Sequence, residues 1–479
     1  MQVKEQLKEV SKNCYTMVPK GNNIEIRVYL SQRLFNEFTE DESIFQLYNA
    51  SLLPGIVSPV IGMPDIHTGY GLPIGGVMAV RYDGGVVSAG AVGMDINCGV
   101  RLMTTKISTD EIDKEIIGKI LKEIAKKVPA GVGKSSEIKE FKKPDMESIA
   151  LKGAKYYVEK GFGRKTDLEA TEDNGCIEGG DISAIPQEAL NRTDQLATIG
   201  GGNHFLEIGR IEKIFDEKLA SEFGLKKQHL YVMIHTGSRG FGHQICTDYT
   251  NIMWKNSDKN GVRPPQKGLA CAPILSKDGQ NYLKAMACAA NYAFCNRQLI
   301  MHIAREVFVD VLKKPESELG LDLLYDVAHN IAKIEKHKGI KLLVHRKGAT
   351  RALPKGHPAN PQCYSETGHP AIIPGSMGTA SYVVVGTDKI EETFCSVNHG
   401  AGRSMSRKKA RSEFSKRDFR EQVGNVIVST SNIKSLLDEA PLAYKDIDEV
   451  VYTLVEAGLT KPVARLKPLG VIKGEGEEA

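Results

Sequence analysis

The chain has 479 residues, 41% of them hydrophobic and 25% charged, a composition that excludes a globally disordered chain. Lys+Arg 63 against Asp+Glu 59 leaves a formal charge of only +4, so no overall cationic excess announces a nucleic-acid binder and local clusters must be sought instead. Aromatic residues are few, at 6%, and glycines many, at 47, which points to tight turns and close approaches of backbone to ligand.

The opening MQVKEQLKEVSKNCY is charged and lacks an apolar segment, so no secretory signal is read there. No run approaches the ~18 uninterrupted apolar residues of a membrane span, and a cytoplasmic protein without membrane contact is expected. Residues 26–60 alternate strand-like runs with short turns, and residues 62–97 set glycine between β-prone segments, a pattern of sheet with active-site loops. Ser108-Thr-Asp-Glu111 has the spacing of a capping box, and Ile112, Ile116, Ile117, Ile120, Leu121 and Ile124 continue at helical period, predicting a helix from that point. Residues 131–180 are polar and lysine-rich, and are expected to lie on the surface and to be partly mobile. A long helical pattern spans about 280–313, through Leu283, Met286, Ala290, Ala293, Ile300, Ile303 and Val307. Glycine, proline and β-branched runs return over 340–400, and a helical, charged region covers 405–460. Without a tandem repeat or a clean linker, residues 1–479 are expected to form a single catalytic body. Its class is α+β, with mixed β-sheets and surrounding helices, and not a doubly wound sheet.

Nine scattered cysteines without a CxxC pair exclude a zinc ribbon and read as reduced thiols, mostly buried fillers, with room for one functional thiol. Gly131-Val-Gly133-Lys134-Ser135 imitates the end of a phosphate-binding P-loop. The motif needs glycine five positions before Gly133, where Val128 stands, and a Walker-type NTPase is rejected.

Chemistry concentrates in a few short segments. Gly93-Met-Asp95-Ile-Asn-Cys98-Gly places a carboxylate and a thiol in a glycine-bounded turn, able to ligate one ion or two neighbouring ones. Alone, such a pair reads more readily as a helix-capping aspartate and a buried cysteine. His204 in GGGNHFLE, His235 in IHTGSRG and His329 in DVAHN, two of them wrapped in glycine and polar residues, shift the balance toward a metal site. His399 in Asn398-His399-Gly-Ala-Gly402-Arg403 is followed by small residues that let an anionic group reach both imidazole and backbone N–H groups. A basic window follows: Arg403, Arg407, Lys408, Lys409, Arg411, Lys416, Arg417 and Arg420, offset by Glu413 and Asp418. It reads either as a solvated helix face or as a track for RNA or nucleotide phosphates. A second basic group holds Lys341, Arg346, Lys347, Arg351 and Lys355.

These segments resemble the RtcB RNA ligases, which join RNA ends using GTP and manganese. The resemblance runs in order along nearly the whole chain: GMPDIHTGYGLPIGG at 62–76, GMDINCGVR at 93–101, GGGNHFLEIG at 200–209, HTGSRGFGHQ at 235–244, AHN at 328–330, HRKGATRA at 345–352, PGSMGTASYVVVG at 374–386, NHGAGR at 398–403 and RLKPLGVIKG at 465–474. It implies an RtcB-like fold with the active site in a central cleft. By the same resemblance, Asp95, Cys98, His204, His235 and His329 hold two manganese ions. Cys98 bridges them, with Asp95 and His204 on one ion and His235 and His329 on the other. His399 corresponds to the histidine that takes the guanylyl group. Asn203, His204, Phe205, Leu206, Glu207, His329, Asn330, Pro374, Gly375, Ser376, Met377, Ser381, His399, Gly400, Ala401, Gly402 and Lys473 correspond to the contacts of GTP. Glu207 can accept from the guanine N1–H and N2 amino group while Lys473 donates to O6. The family often has cysteine where this chain has Asn398. Arg239, Arg403 and Lys347 are candidate phosphate clamps, and Asp65 either assists the site or serves the turn. Ligand type does not itself choose manganese, because a Cys/His/Asp set binds zinc more tightly. RNA ends from tRNA splicing or repair are the implied substrate, archease a partner, and a monomer the expected state. A metallo-phosphoesterase without ligase activity and a non-catalytic RNA-binding factor are the alternatives from other classes.

Overall fold

The computed structural model describes residues 4–38, 42–430 and 432–476. Two large sheets dominate it. The seven-stranded sheet runs in the order Lys8–Ser11, Cys14–Met17, Ile26–Tyr29, Ile56–His67, Ile74–Arg81, Ile340–Lys347 and Asn330–His337. The second runs Asp322–Ala328, Gly99–Ser108, His229–Thr236, Phe205–Ile214, Thr460–Lys473, Ser381–Gly386 and Ala371–Ile373, with Ile427–Ser429 beside Thr460–Lys473 as its eighth strand. Ile26–Tyr29 with Ile56–His67, and Ile427–Ser429 with Thr460–Lys473, pair in parallel, while the other ladders are antiparallel. This is the expected α+β architecture of mixed sheets and surrounding helices.

Central strands are covered on both faces, which is why their sequences run apolar instead of alternating. Gly99–Thr105 is buried at every position, and so is Leu230–Thr236. The helix Lys277–Leu312 forms part of that cover. Ser276 caps it by accepting from the Gly279 N–H, Lys313 closes it in a left-handed conformation (φ 54), and its 36 residues span roughly 54 Å. The segment Ala285–Ala304 is almost wholly buried, because small and apolar residues occupy nearly every side, as a helix inside a large core requires. Its bounds match the expected segment at 280–313 to within three residues at the start and one at the end.

Three local expectations fail. The Ser108–Glu111 motif makes a turn, with Glu111 N–H donating to Ser108 O, and the helix begins at Lys114, capped by Asp113 accepting from the Ile116 N–H. The true cap lies inside the run of isoleucines, so Ile112 stays outside the helix. Residues 26–60 contain the helices Gln32–Glu37 and Ser43–Ser51 between strands, the first capped by Ser31. Residues 131–180 carry four short helices, among them Met146–Lys152 and Ala154–Glu159, whose inner sides bury Phe141, Ile149 and Tyr157 in the main core. Polar residues dominate the composition there and still leave one apolar side to each short helix. Among the described residues no helix is long and apolar enough to cross a membrane.

Candidate active site

Strand order assembles the site. Asp322–Ala328, Gly99–Ser108, His229–Thr236 and Phe205–Ile214 are consecutive neighbours in one sheet. His329 follows the first, Cys98 precedes the second, His235 ends the third and His204 precedes the fourth. Because the ladders are antiparallel, two chain starts and two chain ends fall at the same edge, so all four side chains gather there. His329 is also the corner at which the chain leaves this sheet, since Asn330 begins a strand of the other. Its N–H donates to Cys98 O at 2.8 Å, and Asn97 N–H donates to Asn330 O at 2.7 Å.

The donor atoms form a chain. Asp95 Oδ2 lies 3.1 Å from His204 Nε2, His204 Nε2 3.2 Å from Cys98 Sγ, Cys98 Sγ 3.3 Å from His235 Nε2, and His235 Nε2 3.3 Å from His329 Nε2. Among the described residues, Cys98, His204 and His235 satisfy the spacing of a metal group. Burial pushes the Cys98 thiol up to about 12, assisted by the Asp95 carboxylate, so a thiolate here requires a cation. Burial likewise drives His235 and His329 well below the usual imidazole range, leaving neutral rings with lone pairs to give. One thiol, one carboxylate and neutral imidazoles, converging within hydrogen-bond distance, fit divalent transition ions. Gly237 is required by this geometry, since a Cβ there would run into the Asp95 carboxylate.

His399 stands beside this chain, its ring 4.8 Å from that of His329. Asp65, buried in the Ile56–His67 strand, holds it three ways. Its Oδ2 accepts from His399 Nδ1 at 2.6 Å, from the His399 N–H at 3.0 Å and from the Gly400 N–H at 3.3 Å. With the proton kept on Nδ1, Nε2 carries the lone pair. Gly402 adopts φ +72 where a Cβ would meet the Asp65 backbone, so the loop packs close only with glycine there.

A cavity of about 540 Å³ joins the two parts. Asn203, His204, Phe205, Glu207, His329, Asn330, Pro374, Gly375, Ser376, Met377, His399, Gly400, Ala401, Gly402 and Lys473 line it, as do Asp95, Cys98 and His235. Two expected nucleotide contacts lie behind its wall. Leu206 is fully buried in the main core because it occupies the opposite face of its strand from Glu207, and Ser381 Oγ accepts from the Gly375 N–H and so shapes the loop from beneath. At the far end Glu207 accepts from the Tyr231 hydroxyl at 2.5 Å, and burial raises its carboxyl to about 7 despite that bond and the charge of Lys473.

The basic residues are less available than their sequence suggests. Lys347 Nζ donates to the carbonyls of Tyr70 at 2.5 Å and Gly90 at 3.0 Å, and burial lowers its amine to about 8. Arg403 is bound to Glu439 Oε1 at 3.3 Å and to Asp438 O at 2.7 Å, and Arg407 and Arg411 lie against Asp438. Arg239 Nη1 lies 3.0 Å from His204 Nδ1, beside a candidate ligand ring. In the second basic group, Arg346 pairs with Glu335, and Arg351 with Glu172 and Asp173, inside the protein. Lys408, Lys416 and Arg420 are exposed. Sequence reading missed Tyr231, Glu439 and His67. Tyr231 shares a face of adjacent strands with Glu207, a relation that only the register supplies. Glu439 anchors Lys473 at 3.4 Å from far along the chain, and His67 lines the cavity with Nδ1 2.8 Å from Asp65 O.

The model of the family described as tRNA-splicing ligase RtcB matches residues 46–474. This chain belongs to the RtcB family. A protein described as tRNA-splicing ligase RtcB from Archaeoglobus fulgidus is 45% identical over 464 residues, 95% of each chain. Its counterpart from Thermococcus kodakarensis is 44% identical over 456 residues, 94% of each chain. The RNA-splicing ligase RtcB of Mycobacterium bovis is 43% identical over 438 residues, covering 90% of this chain and all of its own. RtcB membership makes the chain an enzyme of the RNA-ligase class, and the strand edge and cavity described above lie within the matched span.

Proposed function

We propose that the chain is a GTP- and manganese-dependent ligase that joins RNA 3′-phosphate or 2′,3′-cyclic phosphate ends to 5′-hydroxyl ends through a histidine–GMP intermediate. The observation that carries this reading is His399, with Nδ1 fixed 2.6 Å from Asp65 and its ring 4.8 Å from His329 of the ligand chain. His399 Nε2 attacks the α-phosphorus of GTP, forming an N–P bond as the bond to the pyrophosphate leaving group breaks. The Asp65 carboxylate keeps the proton on Nδ1 and stabilises the positive charge that develops on the ring. An oxygen of the RNA 3′-phosphate then displaces His399, giving an RNA end activated by GMP. The 5′-hydroxyl of the second RNA attacks that phosphate, its proton is lost, and GMP departs. A cyclic phosphate is first opened in the same cavity by water, whose oxygen bonds to phosphorus as the P–O2′ bond breaks and the 2′-oxygen takes up a proton, leaving the 3′-phosphate.

Asp95, His204, Cys98, His235 and His329 are the residues to hold manganese, which supplies Lewis-acid stabilisation of entering and leaving oxygens. The cavity volume suits a nucleotide. Glu207 and Lys473 at its far end offer acceptor and donor for the guanine edge, with Tyr231 and Glu439 orienting them. Asn398 in place of the family's frequent cysteine leaves the nucleophile unchanged, since its side chain donates to Gly400 O and shapes the loop. In this reading the chain works as one catalytic body, as a monomer in the cytoplasm, on RNA from tRNA splicing or repair, with archease as an activating partner.

Labelled GTP and manganese test it. The expected result is an acid-labile, alkali-stable protein–GMP adduct, absent from His399→Ala, together with joining of a 2′,3′-cyclic-phosphate RNA to a 5′-hydroxyl RNA. Hydrolysis of the cyclic phosphate without adduct would make the chain a phosphoesterase. RNA binding that survives Cys98→Ala with no chemistry to lose would make it a binding factor. Activity restored to stripped protein by zinc and not by manganese would overturn the metal assignment.

A further inference from the structure

We propose that Arg297, on the long helix Lys277–Leu312, is a positioning residue that sets the spacing of the two-ion site from behind the sheet. The inference rests on the metal reading above. The Arg297 side chain is fully buried, and its hydrogen bonds run to two backbone carbonyls and Asp326, groups beside the candidate ligands. Its Nη1 donates to Asn97 O at 2.7 Å and to Thr236 O at 3.0 Å, while Nε and Nη2 hold Asp326 at 2.8–3.0 Å. Asn97 immediately precedes Cys98, Thr236 immediately follows His235, and Asp326 stands three residues before His329. One rigid guanidinium therefore ties together the three backbone segments that carry Cys98, His235 and His329.

A stabilising role alone does not account for this arrangement. Arg297 and Asp326 are both fully buried, and a buried ion pair costs so much desolvation that apolar residues of similar volume generally serve stability as well or better. What apolar residues cannot do is fix three backbone segments at set distances, and the planar fork of arginine does so with directional bonds. The neighbouring Asn296 acts in the same sense, its side-chain amide donating to Gly237 O at 3.2 Å and to Thr198 O at 3.1 Å. Arg101 also binds Asp326 through a 2.6 Å contact, so Asp326 stays paired and fixed when the guanidinium of Arg297 is shortened to an amine. Arg305, eight residues further along the same helix, supplies the internal control. It is nearly as buried and pairs with Asp167 at 2.7 Å, and its one backbone bond, to Leu321 O at 3.0 Å, falls at the far end of the strand that leads to His329, eight residues from that side chain.

The experiment compares Arg297→Lys and Arg297→Gln with Arg305→Lys in the full chain. Each is titrated with manganese alone and with cobalt(II) alone, reading ion stoichiometry, affinity and the thiolate-to-cobalt absorption band, with thermal melting as the fold control. Loss of a group that orients ligands is expected to weaken ion binding by about 10- to 100-fold. In both Arg297 variants the cobalt band should shift, and kcat for ligation should fall while KM for GTP holds. Arg305→Lys should lower the melting temperature and leave ion affinity and the cobalt band unchanged. Arg297 variants that melt lower but bind both ions as the parent does would overturn the proposal, and so would variants that fail to fold, since the residue would then serve the fold alone. If the parent chain itself binds no ion, the metal reading fails instead.

Discussion

The two sides of the cavity are built by different means. Cys98, His204, His235 and His329 stand at one edge of four hydrogen-bonded neighbours, so ladder register sets their spacing and each backbone is held by the next. His399 lies in a loop after the three-residue strand Ser396–Asn398, and its position depends on one carboxylate, Asp65, reached across the chain. Lys473 ends a strand of the large sheet, so only its amine is oriented by Glu439. On the strand edge, removing a side chain deletes a donor and leaves its neighbours in place. On the loop side, removing a charged partner moves the reacting atom itself. Substitutions on the two sides should therefore fail differently.

The largest effects test that separation directly. Cys98→Ala removes the sulfur lying 3.2 Å from His204 and 3.3 Å from His235, the middle of the donor chain. It should lower ion stoichiometry and abolish both adduct and joined RNA. His399→Ala should abolish the same products, by on the order of 10³-fold or more, while leaving ion content at the parent value. Metal analysis beside a ligation assay separates the two. Loss of ions from His399→Ala would erase the distinction between strand edge and loop.

Asp65→Asn sharpens it. An amide in place of the carboxylate can donate to Nδ1 and thereby put the proton on Nε2, the wrong nitrogen for attack. A comparable exchange beside a catalytic imidazole costs up to about 10⁴-fold. The rate of adduct formation should fall by about 10²- to 10⁴-fold with ion content and GTP affinity retained, measured by single-turnover labelling. A variant that labels at the parent rate would assign Asp65 to the turn alone.

Glu207→Gln probes the far wall. Burial raises its carboxyl to about 7, above the unfolded value, so the folded chain binds a proton between about 4.5 and 7 that the unfolded chain releases. Stability therefore falls as pH rises through that window, by on the order of 3 kcal/mol for a shift of this size. The neutral variant escapes this penalty. Glu207→Gln should melt higher than the parent at pH 8, with the gap closing toward pH 4.5, while its preference for GTP over ATP in adduct formation is reduced. A melting difference that does not change with pH would contradict the burial argument.

The candidate ligands were legible in the sequence because Asp95 and Cys98, His204 and His235 sit in short glycine-rich motifs that can be read without knowing which strands are neighbours, whereas His329, in DVAHN, has no glycine beside it. The long helix was legible because its period is unbroken over some ten turns. The helix at Lys114 was mis-started because two capping patterns, Ser108 and Asp113, lie five residues apart, and only tertiary packing chooses between them. The basic window from Arg403 misled for a related reason. Its inner arginines are neutralised by Asp438 and Glu439, some thirty residues downstream, which adjacency in sequence cannot reveal. Arg297 was invisible as anything but a charge on an apolar helix, because its partners are two backbone carbonyls and one carboxylate, contributed by a turn and two strands distant in the chain.

The smallest expected effect separates the outer charges of that window from the inner ones. Lys416 is exposed, whereas Arg403 is held by Glu439 and by Asp438 O at the wall of the cavity. If Lys416 meets RNA at all, it does so as a solvated point charge. Lys416→Gln should then reduce the slope of log affinity against log salt by less than about 0.7, the share of one single-strand phosphate contact. It should leave adduct formation with GTP untouched. Arg403→Gln leaves the buried Glu439 short of a partner and loosens the loop that begins at His399, so adduct formation slows even with no RNA present. Filter binding across a salt series, paired with GTP labelling, reads both. A Lys416 variant that slows labelling as much as the Arg403 variant would mean that the outer face belongs to the nucleotide side, and that charge alone, without fixed geometry, governs that half of the cavity.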